Sequence, residues 1–174
     1  MRSSIAAGAP PCAIARSAIE ARRREAQHGC PLGPSPASNT ARSTITHPRV
    51  PSCTGFFAPG IDLELIARCG LSRSVERTII GFMGCYAAMN ALKMARHVVR
   101  SDSDARVLIV NVEICTLHLK ETADLERLLS FCLWGDGAAA ALVSAAPQGF
   151  RLDRFAALGA PEARAMMAWA LEDA

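Results

Sequence analysis

Hydrophobic and polar positions follow strand-like and helix-like periods in turn from about residue 45 onward. Apolar runs predict short buried strands at 45–53, 78–82, 106–113 and 138–144, with another beginning at 150–156. Between these runs, amphipathic spacing predicts helices at 62–68, 85–100 and 124–132. Strands that alternate with helices in this way are typical of an α/β fold with a doubly wound sheet.

The spacing of apolar residues also predicts which helix faces are buried. In the first helix we expect Asp62 to cap the start and Gly70 to mark the end. Its predicted buried face is Leu63, Ile66 and Ala67.

The second helix has an apolar face and a polar stripe, both at helical spacing. The predicted apolar face is Ala88, Leu92, Ala95 and Val99, and the polar stripe is Lys93, Arg96, His97 and Arg100. Residues 85–89 carry no charge, so its first turns are expected to be buried on all sides. The first predicted strand contains Pro48 and Pro51, which cannot donate to a sheet ladder and are poor guests in a strand.

Length and composition narrow the class of protein. The chain has 174 residues, of which 51% are hydrophobic and 20% charged, enough apolar material for one domain with a core. A wholly disordered protein is therefore excluded, and no apolar run reaches the ~18 residues of a membrane span. We expect no association with a membrane.

The first 44 residues differ from the rest of the chain. Residues 1–50 hold seven arginines against two glutamates, and the segment has no sustained period. A nucleic-acid arm or a transit peptide would share this composition. We favour a disordered or unrelated leader for residues 1–44 and expect no nucleic-acid partner.

Seven cysteines form no Cys-x-x-Cys pair and match no zinc spacing. An odd number without pairs indicates reduced thiols in a cytoplasmic protein and predicts no metal site. Most of these cysteines are expected to be core residues.

Cys85 differs from the other cysteines because it follows a strand and Gly84 and stands in the first turn of a helix. Unpaired backbone N–H groups and the helix dipole favour a thiolate at such a position. Gly84 permits a sharp turn that would present the sulfur to a cavity. Two interpretations stay open at this point: a nucleophile, or a buried cysteine at the start of a helix.

Five motifs occur in a characteristic order, namely SCTGFFAPG at 52–60, SVER at 74–77 leading to Cys85, ARVLIV at 105–110, EICTLH at 113–118 and WGDGAA at 134–139. This series resembles the type III polyketide synthases, the chalcone synthase-like members of the thiolase superfamily, and the bacterial members most. The resemblance covers about residues 44–174. It implies a partial thiolase-like fold: an incomplete N-terminal αβα half at 45–146, and the truncated start of the C-terminal domain at 147–174.

The resemblance also implies a reaction, the decarboxylative condensation of malonyl-CoA with an acyl-CoA starter held as a cysteine thioester. Cys85 matches the acyl-accepting nucleophile of the family. Cys53, Cys115, His118 and Trp134 match positions that line the cavity, although Trp134 stands where the family has phenylalanine. Coenzyme A thioesters would be substrates, with no separate cofactor, and the family assembles as homodimers.

Two acidic residues near these positions are interpreted as structural. Glu113, at the end of a buried strand, is expected to make a structural hydrogen bond, and Asp136 between two glycines is expected to form a turn.

The family's catalytic histidine and asparagine come from a second half that this sequence does not match. His28, His47, His97 and His118 do not fit that motif, so we expect the chain to be inactive alone. A non-catalytic, dimerising remnant is one alternative. A condensing enzyme of the ketoacyl-ACP synthase type is another, against which the SVER and EICTLH stretches argue.

Overall fold

A mixed six-stranded sheet with helices on both faces forms the part of the chain that the computed structural model describes, residues 4–6, 44–54, 58–164 and 166. The strands are β1 (Ser4–Ala6), β2 (His47–Pro51), β3 (Thr78–Ile80), β4 (Val107–Glu113), β5 (Gly137–Ser144) and β6 (Phe150–Arg151). The helices are α1 (Ile61–Cys69), α2 (Ala87–Ser101) and α3 (Leu125–Leu133). Short 3₁₀ turns occur at Gly84–Tyr86, Cys115–His118 and Pro161–Ala163. The α/β class predicted from the sequence is confirmed.

The sheet order is β3-β2-β4-β5-β1-β6. Strands β3, β2 and β4 are parallel, whereas β5 runs antiparallel to β4 with Gly137 opposite Glu113. The parallel pairing that is typical of a doubly wound sheet is therefore present only among β3, β2 and β4. Residues 114–136 stay at one edge of the sheet instead of crossing it, so the chain returns in the opposite direction.

Alternation along β4 divides the core into two layers. Leu108, Val110 and Val112 pack in one cluster with α1, whereas Val107 and Ile109 pack in another with α2. Because successive strand residues point to opposite faces, one buried strand supplies both layers. The first cluster contains Ile45, Val50, Ile61, Leu65, Cys69 and Leu71, and the second contains Ala91, Ala95, Val99, Ala105 and Val143.

Helix α1 ends as predicted but begins differently. Gly70 takes the left-handed conformation, φ 61° and ψ 38°, and its N–H bonds to the last turn. The expectation for Asp62 is wrong: Gly60 is the N-cap, and Asp62 is a buried first-turn residue that accepts a hydrogen bond from Arg77 at 2.6 Å. The Asp62 carboxylate forms an ion pair with Arg77 and does not cap the helix.

The predicted buried face of α1 is also wrong. Leu63 and Ala67 are exposed and Ile66 is half-buried, whereas Ile61, Leu65 and Cys69 are buried. Both sets have helical spacing, so periodicity alone could not choose between them.

Helix α2 follows its predicted range, but its buried face is Ala87, Ala91, Ala95 and Val99. Ala88 and Leu92, which the sequence placed on that face, are only half-buried. The expectation that 85–89 are buried on all sides is wrong, because Cys85, Tyr86 and Met89 are exposed in the described structure. An uncharged stretch shows only that burial is possible.

Both prolines of the first predicted strand lie inside β2, which is flanked by β3 and β4 rather than at an edge. Every residue of β2 is buried, including Arg49. Arg49 Nη1 donates to the carbonyl oxygen of Glu76, and its Nε has no described hydrogen-bond partner. Burial lowers the pKa of Arg49, and the nearby carboxylate of Glu76 opposes that shift.

Part of the predicted leader contributes to the sheet. Ser4–Ala6 forms β1, which pairs antiparallel with β5 and β6, so disorder was the wrong expectation for these three residues. Pairing satisfies backbone groups of β5 that would otherwise stay open at the sheet edge. Residues 1–3 and 7–43 lie outside the described residues. Within the described ranges no helix has the length and hydrophobicity to cross a membrane.

Candidate active site

The topology brings the predicted site residues to one edge of the sheet. Strands β3, β2 and β4 are parallel, so their carboxyl ends lie at the same edge. Cys85, Cys53 and Cys115 follow these three ends, and we refer to them as the thiol cluster. Strand β5 begins at this edge, where Gly137 pairs with Glu113. In open α/β sheets this edge is where ligands bind.

Cys85 lies in the 3₁₀ turn Gly84–Tyr86, directly before α2, and is exposed. Gly84 has φ +60°, and a Cβ there would meet nothing within 4 Å. Its backbone conformation, rather than a lack of space, is therefore what favours glycine. The predicted sharp turn is confirmed, and the interpretation of Cys85 as a buried cysteine is wrong.

A second left-handed residue precedes this turn. Phe82 has φ +57° and is 64% exposed. A bulky residue in this region costs of order 1–3 kcal/mol, and such strain is concentrated at functional sites. The strand-to-helix turn that carries Cys85 is thus held in an unusual conformation at two positions.

Cys53 is held at the end of β2 by contacts with both neighbouring strand ends. Its backbone N–H donates to Glu113 Oε1 at 2.8 Å, which confirms the structural hydrogen bond predicted for Glu113. Its Sγ lies 3.9 Å from the carbonyl oxygen of Gly84, the residue before Cys85. Cys53 therefore adjoins the turn that presents the candidate nucleophile.

Cys115 begins the 3₁₀ turn after β4 and is half-buried. Burial raises the pKa of its thiol, and the charges of Glu113, Asp136 and Cys85 raise it further. Cys115 therefore stays protonated to a higher pH than an ordinary cysteine.

Asp136 joins the Cys115 turn to the segment that carries Trp134. Its carboxylate accepts the Thr116 backbone N–H at 3.0 Å and the Thr116 hydroxyl at 2.8 Å. The turn-forming role predicted for Asp136 therefore misses its main contacts, which reach 20 residues back along the chain. Trp134 follows the last residue of α3 and is 44% exposed. His118 is the last residue of the Cys115–His118 turn and is half-buried.

Two threonines were not singled out from the sequence although they hold this edge together. The hydroxyl of buried Thr54 accepts the Ile114 N–H at 2.9 Å and so ties the segment after β2 to the end of β4. Thr116 forms the pair with Asp136 described above. Each threonine follows a cysteine that was singled out, and that adjacency was the available signal.

Large apolar side chains surround the thiol cluster and cover α3 without being buried in the described structure. Phe82, Met83 and Tyr86 are exposed on the Cys85 turn. Leu125, Leu128, Leu129 and Leu133 are exposed on α3, the last of them at 81%. Exposed apolar area of this extent is typical of surfaces that contact another polypeptide or a ligand.

Comparison with known proteins places these features in a family. Residues 36–147, more than half of the chain, match the family model described as chalcone and stilbene synthases, N-terminal domain. The match begins earlier than the resemblance found from the motifs, which started near residue 44, and it includes all five residues that the sequence singled out for the site.

Curated relatives cover the same region. The alpha-pyrone synthesis polyketide synthase-like Pks18 of Mycobacterium tuberculosis is 40% identical over 92 residues, 53% of this chain and 23% of its own length. Type III polyketide synthase C of Arabidopsis thaliana is 36% identical over 105 residues, 59% of this chain and 27% of its own. The chain thus spans about a quarter of the length of each of these two relatives.

Solved structures of similar proteins confirm the partial fold. PKS-I from the brown alga Ectocarpus siliculosus matches with a TM-score of 0.57 and 39% identity, covering 59% of this chain and 27% of that one. The C-terminal type III polyketide synthase domain of Steely1 from Dictyostelium matches with a TM-score of 0.59 and 25% identity, covering 81% and 36%.

Proposed function

The chain belongs to the chalcone and stilbene synthase family, and on this basis we propose that it is the acyl-accepting part of a type III polyketide synthase. Cys85 would take an acyl group from an acyl-CoA starter. The observation that carries the proposal is the exposed Cys85 thiol on a left-handed glycine turn, at the sheet edge where three parallel strands end.

In the proposed reaction the Cys85 thiolate attacks the thioester carbonyl of acyl-CoA. A bond forms from the sulfur to the acyl carbon, and coenzyme A leaves as a thiolate that takes up a proton. Malonyl-CoA then loses carbon dioxide, and the carbanion that remains attacks the acyl carbon. A C–C bond forms, the C–S bond breaks, and the Cys85 thiolate leaves. A thiolate suits both halves of this cycle because it is a good nucleophile and a good leaving group.

The other predicted site residues would shape the cavity around the acyl chain. Cys53 adjoins the Cys85 turn, Cys115 follows the next strand of the sheet, and Asp136 ties the Cys115 turn to the segment after Trp134. We propose that Cys53, Cys115, His118 and Trp134 limit which starters fit. No cofactor is required, because acyl-CoA and malonyl-CoA carry all the reacting groups.

The proposal extends to assembly and location. The exposed leucines of α3 support association with a second copy of the chain. The reduced state of the five cysteines in the described residues supports a cytoplasmic setting. Light scattering coupled to size-exclusion chromatography would test the homodimer, and a monomer at all concentrations would contradict it.

The decisive experiment is acyl transfer measured by intact mass. The chain is incubated with an aromatic or a fatty acyl-CoA, and an adduct of one acyl group is expected on the parent chain and on Cys132→Ala. Cys132 is an exposed thiol on α3, so it is the matched control. Cys85→Ala is expected to show no adduct. An unmodified parent chain, or an adduct that persists in Cys85→Ala, contradicts the proposal.

Condensation is a separate measurement. In the family, a histidine and an asparagine that this sequence does not match complete the catalytic set, and they stabilise the charge that develops on the thioester oxygen. We therefore expect malonyl-CoA turnover only when a polypeptide carrying those residues is added. Turnover by this chain alone would show that its own residues are sufficient. Failure of acylation as well as turnover would favour the alternative of a non-catalytic, dimerising chain.

A further inference from the structure

We propose that Cys53 and Cys85 form a reversible disulfide when a peroxide oxidises Cys85, which makes this edge of the sheet an oxidative modification site. The site goes beyond acyl transfer, since its formation requires no coenzyme A thioester. The argument rests on which thiols the strand order brings together and which of them is accessible.

The two cysteines follow the ends of adjacent parallel strands. Cys53 comes two residues after β2, and Cys85 lies in the turn that follows β3. Cys53 Sγ lies 3.9 Å from the carbonyl oxygen of Gly84, one peptide unit from the Cys85 Cα. Disulfides join residues whose Cα atoms are about 4.4–6.8 Å apart. Because the Cys53 sulfur already lies against the backbone of the exposed turn, the proposed linkage requires that turn to move until the two sulfurs meet.

Cys85 is the thiol that an oxidant in solution would reach first. It is exposed, whereas Cys53 and Cys115 are half-buried and Cys69 is buried. Susceptibility to peroxide follows exposure and thiolate character. Cys132 is also exposed, but it lies on α3 and no described contact joins it to the thiol cluster.

Cys53 is a better partner for the oxidised sulfur than Cys115 for two reasons. Strand β2 lies between β3 and β4, so Cys115 is one strand further away. The attacking species is a thiolate, and the raised pKa of Cys115 lowers the fraction of that thiol that is deprotonated.

The chemistry takes place in two balanced steps. The Cys85 thiolate attacks hydrogen peroxide, forming a sulfenic acid and releasing hydroxide. The Cys53 thiol then loses its proton and its sulfur attacks the Cys85 sulfur. The S–O bond breaks and the hydroxyl leaves with that proton as water, so the disulfide forms at the expense of one peroxide. A dithiol reductant reverses the change. While the bond exists, Cys85 has no free thiol, and the sulfur is protected from the irreversible sulfinic state.

The test is peroxide treatment of the full chain, followed by non-reducing digestion and mass mapping of the linked peptides. A Cys53–Cys85 peptide that disappears on reduction is expected in the parent chain, in Cys115→Ala and in Cys132→Ala. In Cys53→Ala, sulfinic acid at Cys85 is expected to form about ten-fold faster than in Cys115→Ala, because the resolving thiol is lost.

Three outcomes would overturn the proposal: a linkage of Cys85 to Cys115, a linkage of Cys53 to Cys115, or equal rates of sulfinic acid formation in Cys53→Ala and Cys115→Ala. The readout is independent of acyl transfer. A chain that forms the disulfide but accepts no acyl group would contradict only the proposed function.

Discussion

Replacing Arg49 by methionine is expected to stabilise the protein. Arg49 is the third residue of β2, is 6% exposed, and points to the face opposite Val50, the face covered by α2. Its guanidinium is buried with the Nε unpaired among the described atoms, and burial lowers its pKa, which is the signature of a charge held where it is poorly solvated. Methionine has a similar length, no charge and flexible packing.

The magnitude follows from opposing contributions. An unsatisfied buried donor costs about 1–3 kcal/mol, and replacing buried ionic groups by apolar residues often stabilises by about 1–4 kcal/mol. Against this stand two lost hydrogen bonds of Arg49 Nη1. The bond to the Glu76 carbonyl is worth about 1.5–3 kcal/mol because the donor is charged, and a longer one reaches the Pro48 carbonyl at 3.3 Å. We expect a net gain of up to about 1 kcal/mol, or roughly 4 °C in Tm for an ordered region of this size.

Urea and thermal unfolding followed by circular dichroism would measure this change, with two arginines as controls. Arg73→Met alters an exposed residue and should stay within about 0.5 kcal/mol of the parent. Arg77→Met removes the partner of Asp62, whose side chain is 2% exposed, and should cost about 2–3 kcal/mol, less than a fully buried pair because Arg77 is 46% exposed. A less stable Arg49→Met protein would refute the reasoning, since it would mean that the buried guanidinium contributes more than its burial costs.

Three further predictions concern the site. Gly84→Ala should destabilise by about 1–2 kcal/mol in urea unfolding because φ is +60°, and Gly84→Asn by less; equal losses would contradict the conformational argument. Asp136→Ala should lower the free energy of unfolding by about 1 kcal/mol, and Thr116→Val by less, since position 116 keeps its backbone N–H donor. A double-mutant cycle with no coupling would show that the pair does not hold the two segments together. Because its pKa is raised, Cys115 should react with iodoacetamide more slowly than an unfolded-peptide thiol, and its contribution to stability should be present below its ordinary pKa of 9.0 and be lost as pH rises further. Unfolding measured against pH in the parent and in Cys115→Ala checks this sign. A parent chain that gained stability relative to the variant above pH 9.0 would contradict it.

The buried faces of the helices illustrate where sequence reasoning stops. In α1 the sequence offers two apolar sets at helical spacing, and the structure buries Leu65 and Cys69 rather than Leu63 and Ala67. In α2 the buried line passes through Ala87 and Ala91 instead of Ala88 and Leu92. Small alanines allow α2 to pack closely on the sheet, and this choice depends on the surface opposite the helix. Periodicity contains no information about that surface.

Element type, element order and the five motifs were readable from the residues alone, because propensity, glycine punctuation and apolar runs are local properties. They were sufficient to identify the family and to select Cys85 as the candidate nucleophile. Contacts between distant segments were decided by the tertiary structure: the antiparallel return of β5, the pairing of Asp136 with Thr116, the ion pair of Asp62 with Arg77, and the 3.9 Å approach of Cys53 to the Cys85 turn. Such contacts depend on strand order, which places the ends of β2, β3 and β4 side by side although they are far apart in the chain.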